Sequence, residues 1–285
     1  MPKFAAIQIE TQLLDVEKNL AKCLHWLGKA HAAGVQVAVL PECVLTGYDL
    51  TAQEVQHAAQ LLPGPHTEPL LQFCRETGML VVLGLLEKDP DGQVFNTAVM
   101  LGPQGIMVKY RKTHLPYLGL DRYITGGSEI SPPQNTAYGK LGMLICYDLR
   151  FPEPVRVLAL QGVQVLLLPT SWPQAASFYP DFMAQSRAAE NGIFLVAADR
   201  IGNERGTPNL GRSLIIDPDG KILAEAGRDQ EEMLVAEMDP LRSDQKARVQ
   251  VPGVYQLDLF ADRRPELYVG IAAKHSAKED QSAAG

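Results

Sequence analysis

Short apolar runs of strand length alternate with amphipathic stretches of helical period along almost the whole chain, and this alternation confines it to a layered α/β arrangement. The first run is KFAAIQI at 3–9. Asp15 then stands where a helix N-cap belongs, ahead of an apolar stripe at Val16, Leu20, Cys23, Leu24 and Leu27, and Gly34 suits the C-cap. VQVAVL follows at once and ends in Pro41-Glu42. HTEPLLQFCRETG and MLVVLGLLEKD make a second helix–strand pair. Asp89-Pro90-Asp91-Gly92 is turn chemistry, and VFNTAVMLGP and IMVKYRK on either side of Gly105 predict antiparallel strands. Next come the strand KLGMLICYD, the helix PEPVRVLALQG, the strand VQVLLLPT, the helix PDFMAQSRAAENG and the strand IFLVAADR. A hairpin, SLIID-PDG-KILAEA, and the run EMLVAEMD close the core. Crossover and hairpin connections mixed in this way predict an α/β sandwich with a mixed sheet.

No Pro/Ser/Gly-rich linker or charge block divides the chain, so a single domain is expected over 1–273, with a polar, small-residue tail at 274–285 expected to be disordered. No apolar stretch is long enough to span a bilayer. MPKFAAIQIE carries no apolar segment ahead of a cleavage site, and it reads as the first strand. Cys23, Cys43, Cys74 and Cys146 form no CxxC pair and no zinc-ligand cluster, so reduced thiols, no metal and a cytoplasmic location are expected. A net charge of −7 argues against nucleic acid as a partner.

Three residues of complementary chemistry each follow a different predicted strand. Cys146 ends LGMLIC just before a helix begins near Pro152, a place where a nucleophile is exposed and backbone N–H groups face a developing oxyanion. Glu42 ends VQVAVLPE, and Lys112 follows IMVKY within a basic cluster. Taken singly, each has a bland reading: a buried strand cysteine, a surface acid, a solvated cation. Together they are what a thiol that is mostly protonated near neutral pH requires, namely a base and a cation. His114 keeps a cysteine–histidine arrangement open as an alternative.

LPECVLTGY, YRKTHLPY and LICYDLRFPE resemble the three motifs of the nitrilase superfamily of carbon–nitrogen hydrolases, and the similarity runs from KFAAIQIE to LFADRRPELY. The resemblance implies a four-layer α-β-β-α sandwich, a homodimer or larger homo-oligomer, and no metal or organic cofactor. It implies Glu42 as general base, Lys112 as oxyanion stabiliser and Cys146 as the nucleophile that forms a thioester with a small-molecule amide. Tyr147-Asp148 after the cysteine resembles the amidase-like and ω-amidase-like branches rather than true nitrilases, with Tyr147 supplying a backbone N–H to the oxyanion. Tyr48, Tyr117, Ser171 and Trp172 fall on loops expected to line the pocket, and Arg150 is a candidate for a substrate carboxylate or for a structural ion pair. Many members carry a second glutamate shortly after the lysine. Here Leu120 falls at that place, with Asp121 adjacent and out of register, which implies a less polar pocket. Arg187 and Glu190 read as a structural pair, and LFADRRPELY as a wrap around a neighbouring subunit or a core-capping strand. Nitrile or N-carbamoyl amino-acid hydrolysis on the same three residues, and a non-catalytic binding protein that kept the fold, are the competing readings.

Overall fold

The structure is a computed structural model that describes residues 1–274, so of the tail expected at 274–285 all but Lys274 lies outside the described residues. Two compact units are present, Met1–Gln245 and a short one that begins at Lys246, and the division falls inside the single domain expected over 1–273.

The first unit holds two mixed sheets. Strands β1 (Lys3–Glu10), β2 (Val37–Val39), β3 (Leu80–Lys88), β4 (Val94–Gly102) and β5 (Gly105–Arg111) lie side by side in that order. β1 to β3 run parallel, and β4 and β5 return antiparallel. The second sheet contains β6 (Gln134–Thr136), β7 (Gly139–Met143), β8 (Val165–Pro169) and β9 (Phe194–Ala198), with β7 to β9 parallel. Short strands β10 (Arg200–Ile201), β11 (Asn203–Glu204) and β12 (Thr207–Pro208) follow. The predicted hairpin is β13 (Leu214–Ile216) with β14 (Ile222–Glu225), and β15 (Glu232–Glu237) crosses back to pair antiparallel with β1.

β1 packs on β9, and β3 on β8, so the sheets face each other. Helices α1 (Val16–Ala32) and α3 (Glu68–Thr77) cover the first sheet, and α4 (Pro152–Leu160) and α5 (Ala184–Asn191) the second. The result is the four-layer α-β-β-α sandwich with mixed sheets. The short α2 (Ala52–Ala58), absent from the pattern reading, is started by a Thr51–Glu54 capping box.

Sequence periodicity explains the layers. Ala5, Ile7 and Ile9 of β1 join the cluster that α1 and α3 cover. Gln8, on the opposite face, accepts from Ser213 beside β13 and so links the two sheets. Because both faces of the central strands are covered, they read as unbroken apolar runs rather than as alternation. The stripe predicted on α1 is the buried one: Leu20, Cys23 and Leu27 are inside, with Asp15 accepting from Lys18 N at the N-terminus.

One glycine sets the entry to the site. A Cβ on Gly84 of β3 would lie 2.6 Å from Glu42 Cα, so only glycine lets the chain after β2 cross so close to the sheet. Gly84 N donates to Pro41 O and Val44 N to Gly84 O, which fixes Glu42 between them.

The second unit is a hairpin of β16 (Ala247–Val251) with β17 (Tyr255–Asp258), followed by short turns at Pro265–Leu267 and Val269–Ala272. LFADRRPELY is thus turns rather than the strand that was one of its two expected forms.

Glu87, buried on β3, locks the β5 end of the first sheet. It accepts from Thr97 Oγ1 at 2.7 Å, Lys109 Nζ at 2.8 Å and Arg111 Nε at 3.0 Å. Burial works against its charge, yet the hydrogen bonds from Arg111 and Lys109 outweigh burial and lower its pKa to about 2. The stability it contributes is present above the ordinary glutamate value of 4.5 and is lost as pH falls toward about 2. Urea unfolding between pH 5 and pH 2 should show a shallower acid decline in Glu87→Gln than in the wild type. An identical decline in both would assign acid lability to other groups.

Candidate active site

Every component follows the C-terminal end of a strand or sits on the strand beside it. Glu42 lies just past β2, Lys112 directly after β5 and Cys146 three residues after β7, while Thr170 and Ser171 continue β8. Ligands in open α/β sheets collect at this edge. All three of the sequence-derived residues are buried, and the fold brings Glu42 and Lys112 into direct contact: Lys112 Nζ donates to Glu42 Oε1 at 2.7 Å.

Asp121 completes that cluster. Its Oδ2 accepts from Lys112 Nζ at 2.5 Å and from Tyr48 OH at 2.7 Å. Asn96, the third residue of β4, donates through Nδ2 to Glu42 Oε1 at 2.7 Å and to Asp121 Oδ1 at 3.1 Å, while its backbone carbonyl accepts from Lys112 N at 2.8 Å. One residue thus holds two carboxylates through its side-chain amide and the lysine backbone through its own carbonyl. Two of the three ammonium hydrogens are taken by Glu42 and Asp121, and the third has no partner among the described residues. Glu42 Oε2 is likewise buried without a partner there.

The expectation at Leu120 and Asp121 is corrected. Leu120 is fully buried in an apolar cluster with Leu50, Val55, Leu86 and Val94, and Asp121 is the acid that faces Lys112. The cause is the tight 3₁₀ turn Gly119–Tyr123, in which successive side chains point about 120° apart. Gly119 has a φ of +49°, and a Cβ there would lie 2.5 Å from the Tyr48 ring. The turn packs against Tyr48, with Leu120 N donating to Tyr48 O, and its rotation turns Leu120 to the core and Asp121 to the lysine. Tyr117 is corrected too: it is 90% exposed on the surface, and Leu118 and Gly119 line the cleft beside Tyr48 and Ser171 instead.

Cys146 has a φ of +43°, a left-handed backbone that costs a non-glycine residue roughly 1–3 kcal/mol. It opens the 3₁₀ turn Cys146–Arg150, which leads into α4. The thiol's pKa stands well above the ordinary 9.0: burial is the main cause and the Glu42 charge adds to it, against opposing effects of Lys112, the Thr170 hydroxyl and the Ser171 backbone. Burial also opposes the Lys112 charge, but Asp121 and Glu42 outweigh it and hold the lysine protonated well above its usual range. The Asp121 carboxyl is pushed up, by burial first and by Glu42 as well, with Lys112 opposing.

The other predicted residues surround this centre at different depths. Tyr48 is buried, with its ring 5.5 Å from Lys112 Nζ. Trp172 is fully buried, stacked on Tyr179 at 5.0 Å, and its N donates to Asp199 Oδ1. Ser171 Oγ donates to Asn209. Tyr147 packs edge-on to Phe151, and the exposed Arg150 lies 4.6 Å from the Phe178 ring centre. Arg187 pairs with Glu190 and also donates to the carbonyls of Leu149 and Arg150, bracing the turn after Cys146. Asn96 and Thr170 went unread in the sequence, and Asp148 was read only as part of the Tyr147-Asp148 branch marker, with no role of its own. The only signal at Asn96 was a polar residue inside the apolar run VFNTAVML.

A buried thiol, a carboxylate oxygen with no partner among the described residues and a cation thus stand at the strand ends of an α-β-β-α sandwich. The chain belongs to the carbon–nitrogen hydrolase family, whose model matches residues 3–247. It is 38% identical over 274 residues to a protein of Pyrococcus abyssi named nitrilase, covering 94% of this chain and 99% of that one. To the deaminated glutathione amidase of Escherichia coli O157:H7 it is 33% identical over 242 residues, covering 83% and 90%. Among solved structures it is similar to a variant of the amidase from Nesterenkonia sp. AN1 that shows Michael addition of acrylamide at the active-site cysteine. That likeness has a TM-score of 0.78 and 25% identity, and covers 94% of this chain and 98% of the other.

Two measurements check the geometry. Asp121→Ala, which takes one carboxylate from a buried ammonium, should cost about 3 kcal/mol in urea unfolding, and Leu120→Met less than about 1.5 kcal/mol. The reverse order would place Leu120 at the lysine. Because burial and Glu42 raise the Cys146 pKa, its iodoacetamide labelling rate should still be climbing above pH 9.0 in the wild type. A plateau at pH 7 would contradict that direction.

Proposed function

We propose that the chain is an amidase that cleaves the C–N bond of a small linear amide through a thioester on Cys146. The observation that carries this reading is the division of labour on Glu42: Oε1 is locked by Lys112 and Asn96, while Oε2 is buried and unpartnered. A fixed carboxylate with one open oxygen is suited to take and return a single proton.

In the first half-reaction Glu42 Oε2 accepts the Sγ proton as sulfur bonds to the amide carbon. The oxyanion is met by the third N–H of Lys112 and by the Tyr147 backbone N–H. Glu42 then returns the proton to the amide nitrogen, the C–N bond breaks, and ammonia or an amine leaves. In the second half, water attacks the thioester carbon while Glu42 takes its proton. The C–S bond breaks, the proton goes back to sulfur, and a carboxylic acid departs. Asp121 keeps Lys112 charged and oriented through both halves.

Kinship supports the substrate class. Relatives named as amidases span nearly the whole chain, including the bovine omega-amidase NIT2 at 28% identity over 93% of this chain and 96% of its own. For an ω-amide, Arg150 beside Phe178 is the candidate for the distal carboxylate. The Pyrococcus abyssi relative named nitrilase favours a second reading, attack on a nitrile by the same residues. The non-catalytic reading loses its main support now that an acid occupies the position where Leu120 was expected. Four free cysteines fit a reducing cytoplasm, and the family likeness supports a homo-oligomer.

Intact-mass spectrometry after brief incubation with small amides, ω-amides, N-carbamoyl amino acids and nitriles tests this reading. An acyl adduct on the wild type, absent from a folded Cys146→Ala variant that releases no ammonia, is the expected result. Turnover retained in Cys146→Ala would sink the mechanism, and activity confined to nitriles would select the second reading.

A further inference from the structure

We propose that Asp148 is the positioning residue of the Cys146 turn: its carboxylate ties that turn to the loop carrying Lys112, and so sets where the thiol stands relative to the ammonium. The proposal rests on the reading of Cys146 as nucleophile and Lys112 as its cationic partner. It adds a residue that takes no part in the bond changes.

Asp148 lies two residues after Cys146 and is fully buried. Its Oδ2 accepts from Ile145 N at 3.0 Å and from Tyr110 OH at 2.8 Å. Its Oδ1 accepts from Thr113 Oγ1 at 3.1 Å, from His114 N at 3.1 Å and from His114 Nδ1 at 2.8 Å. The five donors are not scattered. Ile145 immediately precedes Cys146, and Tyr110, Thr113 and His114 flank Lys112 on both sides. One carboxylate therefore brackets both residues.

The same residue closes the strained turn from within, since Asp148 N donates to Ile145 O at 2.9 Å. The left-handed φ of +43° at Cys146 is thereby over-determined by bonds to the residue before it and from the residue two after it. His114 adds a second tie, its ring stacked on Phe151 at 4.1 Å and 19°, at the far end of the turn. His114 thereby ties the loop after Lys112 to the Cys146 turn.

An asparagine in place of Asp148 would have the same size but would turn an NH₂ group toward donors. The expected result for Asp148→Asn is a kcat lowered roughly tenfold or more with KM within about threefold, because a small misplacement of reacting groups costs rate before it costs binding. Tyr110→Phe and Thr113→Val each remove one donor and should give smaller losses in kcat, with the melting temperature lowered by only about 2–4 °C. This graded series keeps the test decisive if Asp148→Asn fails to fold. The second readout is the iodoacetamide rate of Cys146 and its pH profile, which should differ from wild type across the series. Wild-type kcat in the folded variants, or a loss that only tracks the folded fraction, would overturn the proposal. If the wild type turns over no amide or nitrile, the catalytic reading falls separately. The labelling rates then still decide, and unchanged rates in the folded variants would overturn the positioning role.

Discussion

A lysine ammonium shut away from water between two carboxylates is the interaction on which this site depends. Removing an isolated charge from water costs many kcal/mol, and such a group persists only where opposite charge and hydrogen bonds are fixed around it. Lys112 meets that condition with Glu42 and Asp121, which reach it from the end of β2 and from the turn after β5. The strands must therefore end where they do, and Gly84 must stay small enough for the Glu42 backbone to pass. Asn96 fills the remaining gap between the two acids, a task no apolar residue in the same strand position performs.

Burial first, and the neighbouring Glu42 second, set the state of the thiol, because a thiolate would add an anion to a buried space beside a carboxylate. Burial and Glu42 together keep Cys146 protonated, outweighing the pull of Lys112. Lowering the thiol pKa is the role sequence reasoning first gives to a lysine beside a cysteine, and here that effect is only partial. In the proposed mechanism the thiol proton instead moves to Glu42 at the moment of attack, when the negative charge passes on to the substrate oxygen.

The parts of the site legible in the sequence are those that strand ends announce. Glu42, Lys112 and Cys146 each break an apolar run, and polarity directly after a buried strand is visible without coordinates. Asp121 was not legible because its orientation is a property of a 3₁₀ turn packed on Tyr48, and matching by register put Leu120 in its place. Asn96 was hidden by its setting, since a single polar residue inside VFNTAVML reads as an interruption of a strand until its two carboxylate partners, 54 and 25 positions away, are in view. Tyr117 misled in the opposite direction: an aromatic residue beside a motif suggested a pocket wall, but nothing in local sequence records that its side chain leaves the surface. The layers themselves were readable because burial on both sheet faces leaves long apolar runs between turn residues.

Two buried aspartates on this site show how environment separates roles for one side chain. Asp121 faces a permanent cation, so its function is electrostatic and its loss exposes Lys112 to an uncompensated interior. Asp148 faces two hydroxyls, two backbone N–H groups and an imidazole, and no lysine or arginine among the described residues, so the proposed positioning acts through the directions of its bonds. Directional bonds hold atoms at set positions, and charge sets which protonation states are tolerated. A site that needs a neutral thiol close to a fixed cation requires both, and the fold supplies one from each aspartate.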